Sequence, residues 1–431
     1  MFATPPSQSS AVPVVLLVTV LAVIGLVLAS SLYHPVYQAV VTGTREGKKL
    51  LDRTLRTFQT SDPVHHTTMK GIQRLLKPDN VDDYSLLQSR SIPNQRLVTA
   101  FELTNTFVSA DAAVHENFRR KAQRMLRRDW VEFLQVATDA ANMSLPSISP
   151  GNVRQLDHFI QITTLRIVLI FLLGVQRQPK DMNDEDLQIT AELISELWSR
   201  SKTQPTVDSE SLNRLNHHLR RLIDDNEAFP NPLDFVIPTW ETMWRVVATT
   251  VTYADDSPQY RETFGRLQTG SPATSFHDAS DGPSAHSIVT EVLRLHPPSR
   301  RIHRATTRPF LGIPTFLDKF VSVTRQEMAD VEAYHLSQDV WGPSAKAFDP
   351  TRHENPVAEG GDILAFGWGP LQCVAKKWAP MAIGMTVSAI LEVLGTDAES
   401  GISDFILVRG ERIGGREGWD GWEVRKRDHM F

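Results

Sequence analysis

The sequence predicts a mainly α-helical protein with a small β portion, placed behind one N-terminal transmembrane helix. Residues 11–32 contain no charged side chain and are long enough, at ~1.5 Å per residue, to cross a hydrocarbon core of ~30 Å. Between residues 112 and 296, apolar residues recur at three- and four-residue steps, which is typical of amphipathic helices. Shorter segments after residue 300 are interrupted by proline and glycine, which indicates short strands and turns.

The composition is that of an ordinary globular protein. The chain has 431 residues with 45 basic and 50 acidic side chains and a formal net charge of -5, so no basic excess points to nucleic acid. Its single cysteine, Cys373, excludes an intramolecular disulfide and fits a reducing compartment.

The N-terminal apolar segment is interpreted as a membrane anchor. It is longer than the core of a cleaved signal peptide, and no lysine or arginine precedes it. Basic residues follow it at positions 45, 48, 49, 53 and 56, so the positive-inside rule places the rest of the chain in the cytosol and leaves the sequon at Asn142 unused. The expected organisation is a short lumenal N-terminus (1–10), the anchor (11–32), a linker (33–60) and one large domain (61–431).

Four segments predict the first helices of that domain. They are Ala112 to Ala141, Arg154 to Val175, Asp181 to Arg200 and Asp208 to Asp225. The first has a basic face that includes Arg120, and contact with solvent is the simplest interpretation of that face. His217 and His218 have no partner at metal-ligand spacing and are expected at the surface.

Residues 231–253 predict a long buried helix, kinked where Pro238 removes a backbone donor. Within it Glu241 and Thr242 place an acid next to an alcohol, a combination that can hold and pass a proton. A purely structural alternative fits equally well. Glu241 would pair with Arg245 one turn further on, and Thr242 would bond back to its own helix.

A helix predicted at His286 to His296 carries an acid and a base on one face. Glu291 and Arg294 are three residues apart, so they can share hydrogen bonds in a buried network. A second arginine, Arg352, follows in the sequence FDPTRH. A helix pair of this kind is common, so its meaning depends on the other motifs.

Cys373 lies in the stretch FGWGPLQCVA, behind a turn with glycines at positions 367 and 369. Glycine allows the backbone to approach a flat ligand closely, and a thiolate presented there is a candidate axial ligand for iron. The segment from Lys376 to Leu394 predicts a helix whose dipole would favour a negative sulfur. The alternative is a glycine-rich turn around a buried, inert cysteine.

Taken in order, ExxR, FxPxR and FxxGxxxCxA resemble the signature of the cytochromes P450. The resemblance implies the P450 fold, with Cys373 as the thiolate ligand of the iron of haem b and with Phe366 and Gly369 shaping the haem-binding turn. It also implies that the Glu291, Arg294 and Arg352 network described above is structural. One departure stands two residues before the cysteine, where Leu371 replaces the family's usual basic residue.

The segment PTWET, residues 238–242, resembles the oxygen-binding motif of the P450 central helix. This resemblance assigns catalytic roles in proton delivery to Glu241 and Thr242. Proline and threonine at 238 and 239 stand where the family usually has alanine and glycine. The resemblance also suggests Arg120 and Arg304 as contacts of the haem propionates.

The resemblance implies a monooxygenase that inserts one oxygen atom from O2 into a small organic substrate. Electrons would come from an NADPH-cytochrome P450 reductase, since the chain has no flavin or nicotinamide motif. The implied setting is the endoplasmic reticulum membrane of a fungus, in secondary metabolism. Two alternatives remain: a P450-like enzyme that rearranges or dehydrates its substrate without external electrons, and a catalytically silent haem-binding protein.

Overall fold

The computed structural model describes residues 63–145, 152–203, 208–309, 322–354, 361–394 and 405–426. The chain divides into two compact units, and one of them, residues 64–305 and 326–431, contains nearly all of these described residues. The described residues 63, 306–309 and 322–325 are assigned to the other unit. All features of the site discussed below belong to the first unit.

Helices make up most of the described residues. In chain order they are α1 (Met69–Leu76), α2 (Asp83–Phe101), α3 (Ala112–Met125), α4 (Trp130–Ser144), α5 (Leu156–Ile167), α6 (Asp184–Arg200), α7 (Ser209–Leu222), α8 (Leu233–Asp255), α9 (Pro258–Thr269), α10 (Pro272–Phe276), α11 (Ala285–Leu295), α12 (Val331–His335), α13 (Gln338–Trp341) and α14 (Ala379–Val393).

The strands form two small sheets. They are β1 (Val64–His66), β2 (Val153–Gln155), β3 (Arg301–Pro309), β4 (Ser322–Asp330), β5 (Phe405–Val408) and β6 (Glu423–Lys426). The first sheet has the order β1-β4-β3, and β1 runs parallel to β4 with Val64 opposite Glu327. The second has the order β2-β6-β5 and is antiparallel. The mainly helical fold with small sheets confirms the predicted mainly α-helical class with a small β portion.

The helices α4, α5, α8 and α14 pack against one another and form the centre of the core. The indole of Trp240 on α8 is fully buried, and its Nε1 donates to the carbonyl of Gln161 on α5 at 3.0 Å. The Ser388 hydroxyl on α14 donates to the carbonyl of Phe264 on α9 at 2.7 Å. Because α8 and α14 are direct neighbours, the core brings the PTWET helix beside the helix that follows the cysteine loop.

Two predicted boundaries were wrong near the start of the domain. The single helix predicted from Ala112 to Ala141 is two helices, since Asp129 caps the second one by accepting from the backbone N–H groups of Val131 and Glu132. The sequence analysis also placed no helix before residue 112, whereas α1 and α2 precede it. Pro93 lies inside α2, and a proline within a segment is usually read as the end of a helix.

The predicted anchor, residues 11–32, lies outside the described residues. No helix in the described ranges is long and apolar enough to cross a membrane.

Candidate functional site

The cysteine loop is closed by short local hydrogen bonds. The backbone N–H of Cys373 donates to the carbonyl of Phe366 at 2.9 Å, and the side chain of Gln372 donates to the carbonyl of Gly367 at the same distance. Gly369 has a φ of +73°, and a Cβ there would lie 2.9 Å from the Cβ of Lys77. The turn therefore needs glycine both for its backbone conformation and for its contact with the end of α1.

The Cys373 side chain is exposed, yet much protein surrounds its sulfur. Burial raises the pKa of the thiol above its ordinary value of 9.0, and the N–H of Ala375 only partly opposes this effect. The sulfur is therefore accessible from solvent although protein atoms surround it. The predicted helix dipole does not act here, because α14 begins at Ala379 rather than at Lys376 and the dipole fades beyond the first turn.

Glu291 on α11 is at the centre of a buried hydrogen-bond network. Its two carboxylate oxygens accept from Nε and Nη2 of Arg294, both at 2.7 Å. Arg352 donates to Oε1 at 3.1 Å and His353 lies 2.8 Å from Oε2. The structure therefore brings together the three residues predicted from the motifs and adds His353. In the sequence, only its position beside Arg352 indicated that His353 could belong to this network.

Arg294 extends this network to the loop before the FDPTRH segment. Its Nη1 donates to the carbonyls of His335 and Ala345 at 2.7 and 2.6 Å. Burial opposes ionisation of Glu291, but the hydrogen bonds from Arg294, His353 and the Asp349 backbone outweigh it and lower the pKa of Glu291 to about 2. The network thus holds an ionised carboxylate inside the protein and ties distant loops to α11.

The central helix α8 continues through Pro238 because another residue replaces the lost hydrogen bond. Pro238 has no N–H for the carbonyl of Asp234, and the side chain of Asn105 donates to that carbonyl at 2.9 Å instead. The Asp234 carboxylate accepts in return from the backbone N–H groups of Thr104 and Asn105 at 2.9 and 3.0 Å. The loop between α2 and α3 therefore supports the start of the helix that carries Glu241.

Glu241 and Thr242 have different surroundings. Glu241 is buried, and its two oxygens accept from Arg245 at 2.7 Å and from Arg416. The structural alternative is thus confirmed for Glu241. Four other threonines of α8, at positions 239, 249, 250 and 252, donate back to helix carbonyls. The side chain of Thr242 makes no hydrogen bond within the described residues, so its hydroxyl is available to another group.

Two arginines are buried without an acidic partner in the described residues. Arg304 on β3 is 5% exposed and Arg90 on α2 is 8% exposed. The Nε atom of each is buried without a hydrogen-bond partner. Burial lowers the pKa of Arg304 to about 9, with a further contribution from the positive charge of Arg90, and burial lowers the pKa of Arg90 to about 10. These neighbouring guanidinium groups fit an anion.

Arg120, the other predicted propionate contact, lies on the surface of α3. Its side chain is 62% exposed, donates to Asn117 and lies 3.8 Å from Glu116. The sequence analysis missed Arg90 because it lies in the helix that was not predicted.

The cysteine loop and the Glu291 network lie in a segment that resembles known proteins. The cytochrome P450 family model matches residues 267–398, which contain Glu291, Arg294, Arg352 and Cys373. A cytochrome P450 of Arthroderma benhamiae is 34% identical over 26% of this chain and 24% of its own length. Cytokinin hydroxylase of Arabidopsis thaliana is 29% identical over 36% of this chain and 28% of its own length. The matched segments thus span about a quarter of these curated relatives.

Solved structures extend the similarity of the fold over most of the chain. A six-coordinated cytochrome P450 from Thermus thermophilus has a TM-score of 0.57 at 14% identity, over 85% of this chain and 93% of that structure. A testosterone-bound P450 of a Streptomyces species has a TM-score of 0.55 at 15% identity, over 84% and 89%. The fold is therefore that of the cytochromes P450. The match to the family model and the P450 fold together imply a thiolate-ligated haem iron as the cofactor.

Proposed function

We infer from the match of residues 267–398 to the cytochrome P450 family model and from the P450 fold that this chain is a haem-thiolate monooxygenase, which inserts one oxygen atom from O2 into a small organic substrate. The observation that carries this proposal is the solvent-accessible Cys373 sulfur, held in a closed glycine turn. The Glu291 network fixes the segment from His335 to His353, which precedes that turn. A rigid support of this kind is what a metal ligand needs.

The residues present fit haem. Cys373 would hold the iron through its sulfur, and coordination would deprotonate the thiol, whose pKa is raised by burial. Arg90 and Arg304 would hold the propionates and replace the basic residue absent at Leu371. Bound thiolate-ligated haem supplies the O–O cleavage chemistry.

Thr242 is the residue we assign to proton delivery. Its hydroxyl is not engaged by the helix, so it can hold a water molecule or donate a proton on that side of α8. Glu241 differs, because guanidinium groups bind both of its oxygens. A proton role for Glu241 requires one of these contacts to open, and otherwise Glu241 positions the helix and its arginines.

The wider setting is also part of the proposal. Electrons would come from an NADPH-cytochrome P450 reductase, and residues 11–32 would anchor the catalytic domain, residues 61–431, to the cytosolic face of the endoplasmic reticulum. A substrate from fungal secondary metabolism is compatible with the fungal relative.

A second candidate is a P450-like enzyme that rearranges or dehydrates its substrate without external electrons. The engagement of Glu241 by two arginines favours it, since such a reaction needs no proton delivery to dioxygen. Dependence of product formation on NADPH and reductase separates the two candidates.

The test of the haem-thiolate assignment uses the only cysteine of the chain. The reduced, carbon monoxide-bound protein should show the strongly red-shifted Soret band of thiolate-ligated haem, and Cys373→Ser should remove that band. An unchanged band in the variant would reject the assignment. Product formation with reductase, oxygen and a metabolite extract then tests the activity.

A further inference from the structure

Four basic side chains from distant parts of the chain surround Glu241. Arg245 lies one turn along α8, and Arg416 comes from the segment between β5 and β6. Arg96 on α2 lies over the same Trp198 ring as Arg416, and its guanidinium group donates to Ser201, the residue directly before Lys202, just beyond α6. Three helical regions and a C-terminal loop therefore converge on one carboxylate.

The charges of this cluster do not balance. Four cations face one carboxylate, and neither Arg96 nor Lys202 makes an ion pair in the part of the chain that the structure describes. Burial lowers the pKa of Lys202, and the positive charges of Arg416 and Arg96 lower it further. Burial likewise lowers the pKa of Arg96 and of Arg416. Lys202 is exposed to solvent, but Arg96 and Arg416 are partly buried, so a bound anion would stabilise the excess positive charge beside Glu241.

Only some of these donors are already used. Arg245 donates to the backbone carbonyl and carboxylate of Glu241 and to the carbonyl of Pro298, so all its nitrogens are engaged. Arg416 keeps a buried Nε without a partner. Arg96 donates only to Ser201 within the described residues. Arg96, Lys202 and Arg416 thus retain donors for a ligand.

The indole of Trp198 positions two of these arginines. The guanidinium carbons of Arg96 and Arg416 lie 4.8 and 5.2 Å from the centre of the ring, within the range of cation–π contacts. Guanidinium groups that are oriented in advance lose less entropy when they bind an oxyanion in a bidentate manner.

We propose that Arg96, Lys202 and Arg416 bind an oxyanion group, a carboxylate or a phosphate ester, of the organic substrate. Glu241 and Thr242 are consecutive on α8 and their side chains diverge by about 100°, so an oxyanion anchored beside Glu241 would leave the rest of the substrate to extend around the helix towards the hydroxyl assigned to proton delivery. The binding of an anion is inferred from the cluster alone. The assignment of that anion to the substrate rests on the proposed monooxygenase function. The substrate class is therefore an organic acid or an organic phosphate.

The first test is anion binding by the full chain in lipid nanodiscs. Inorganic phosphate, titrated at constant ionic strength against chloride, should raise the unfolding temperature in a saturable manner. Arg96→Gln and Lys202→Gln break no ion pair with Glu241, and each should weaken the apparent phosphate affinity about tenfold, as expected for loss of one charged hydrogen bond. Arg214→Gln is the matched control, because it removes the same charge from the exposed face of α7.

The second test asks whether the bound anion belongs to a substrate. Octanoate, octyl phosphate and octanol share one alkyl chain, and the Soret band of the haem-loaded protein reports their binding. Octanoate or octyl phosphate should shift the band at concentrations at least about tenfold below those that octanol requires. Inorganic phosphate should compete with that anion. The anion that binds more tightly shows whether the site prefers a carboxylate or a phosphate.

The outcomes are separable. A phosphate effect that is absent, not saturable, or unchanged in Arg96→Gln and Lys202→Gln would overturn the anion site. Phosphate binding with octanol as effective as both anions would overturn the substrate assignment. Saturable phosphate binding in a protein that lacks the thiolate Soret band would keep the anion site and reject the proposed function.

Discussion

At the residue scale, the threonines of α8 divide according to their hydroxyl partners. Thr250 is fully buried and donates to the carbonyl of Val246 at 2.7 Å, whereas Thr242 is partly buried and does not bond to its helix. A hydroxyl that donates to its own helix has no proton left to donate to a water, so Thr242 is better suited to that role than the four threonines bonded to α8.

Thr242→Val should therefore uncouple NADPH consumption from product formation and release hydrogen peroxide, while binding of haem and substrate is retained. The variant preserves the β-branched shape and removes only the hydroxyl. Thr250→Val makes the same change at a position that the helix already uses, and coupling there should match the wild type. The measurement is product formed per NADPH consumed. Equal coupling in both variants would show that Thr242 is only a helix residue.

Arg304 and Arg90 lead to a prediction about cofactor retention. Arg304→Gln and Arg90→Gln should each speed the transfer of haem to apomyoglobin, because an unpaired buried guanidinium is suited to a propionate. Arg120→Gln is the comparison variant, since Arg120 is exposed and has partners on its own helix. If Arg120→Gln alone accelerates haem loss, the propionate role belongs to Arg120, as the family resemblance first suggested.

At the scale of elements, the Glu291 network connects α11 to two loops and to the FDPTRH segment. Glu291→Ala should lower the free energy of unfolding by ~3–5 kcal/mol, because it leaves the buried Arg294 without its carboxylate. Little haem-loaded protein should then accumulate. Glu116→Ala removes an exposed carboxylate from α3 and should change stability little. Normal stability of Glu291→Ala with only turnover lost would instead indicate a direct catalytic role.

The same network predicts how stability depends on pH. The pKa of Glu291 is lowered from 4.5 to about 2, so its contribution is present above pH 4.5 and is lost as the pH falls towards 2. Burial lowers the pKa of His335 from 6.5 to about 4, and stability that depends on neutral His335 is lost as the pH falls from 6.5 through 4. The urea concentration at the midpoint of unfolding should therefore decrease as the pH falls through each of these two intervals. In Glu291→Gln the decrease below pH 4.5 should be smaller, and an unchanged slope would contradict the assignment.

At the scale of the whole molecule, the anchor at residues 11–32 leads to a prediction about membrane association. The full chain should remain in the membrane pellet after an alkaline carbonate wash, because release would expose a long apolar segment to water. A chain that starts at residue 33 should be released more readily. Asn142 should carry no glycan, and a glycan there would show that the catalytic domain lies on the lumenal side.

The sequence by itself determined those features that depend on residues close together in the chain. Glu291 and Arg294 meet because a helix brings positions three apart onto one face, and Gly369 marks a turn that other residues adopt only with strain. The Glu241–Arg245 pair was predicted as an alternative for the same reason. Helix start and end points were less certain, because capping residues such as Asp129 compete with apolar periodicity.

Only the tertiary structure decided which distant charges lie together and which are left unpaired. Arg416 is 175 residues from Glu241 in sequence, yet it binds the second carboxylate oxygen. Arg90 and Arg304 become neighbours only when α2 and β3 are in place, and only the folded chain shows that neither has an acidic partner among the described residues. The physical reason is that burial and charge balance result from contacts between separate elements, which local periodicity does not specify.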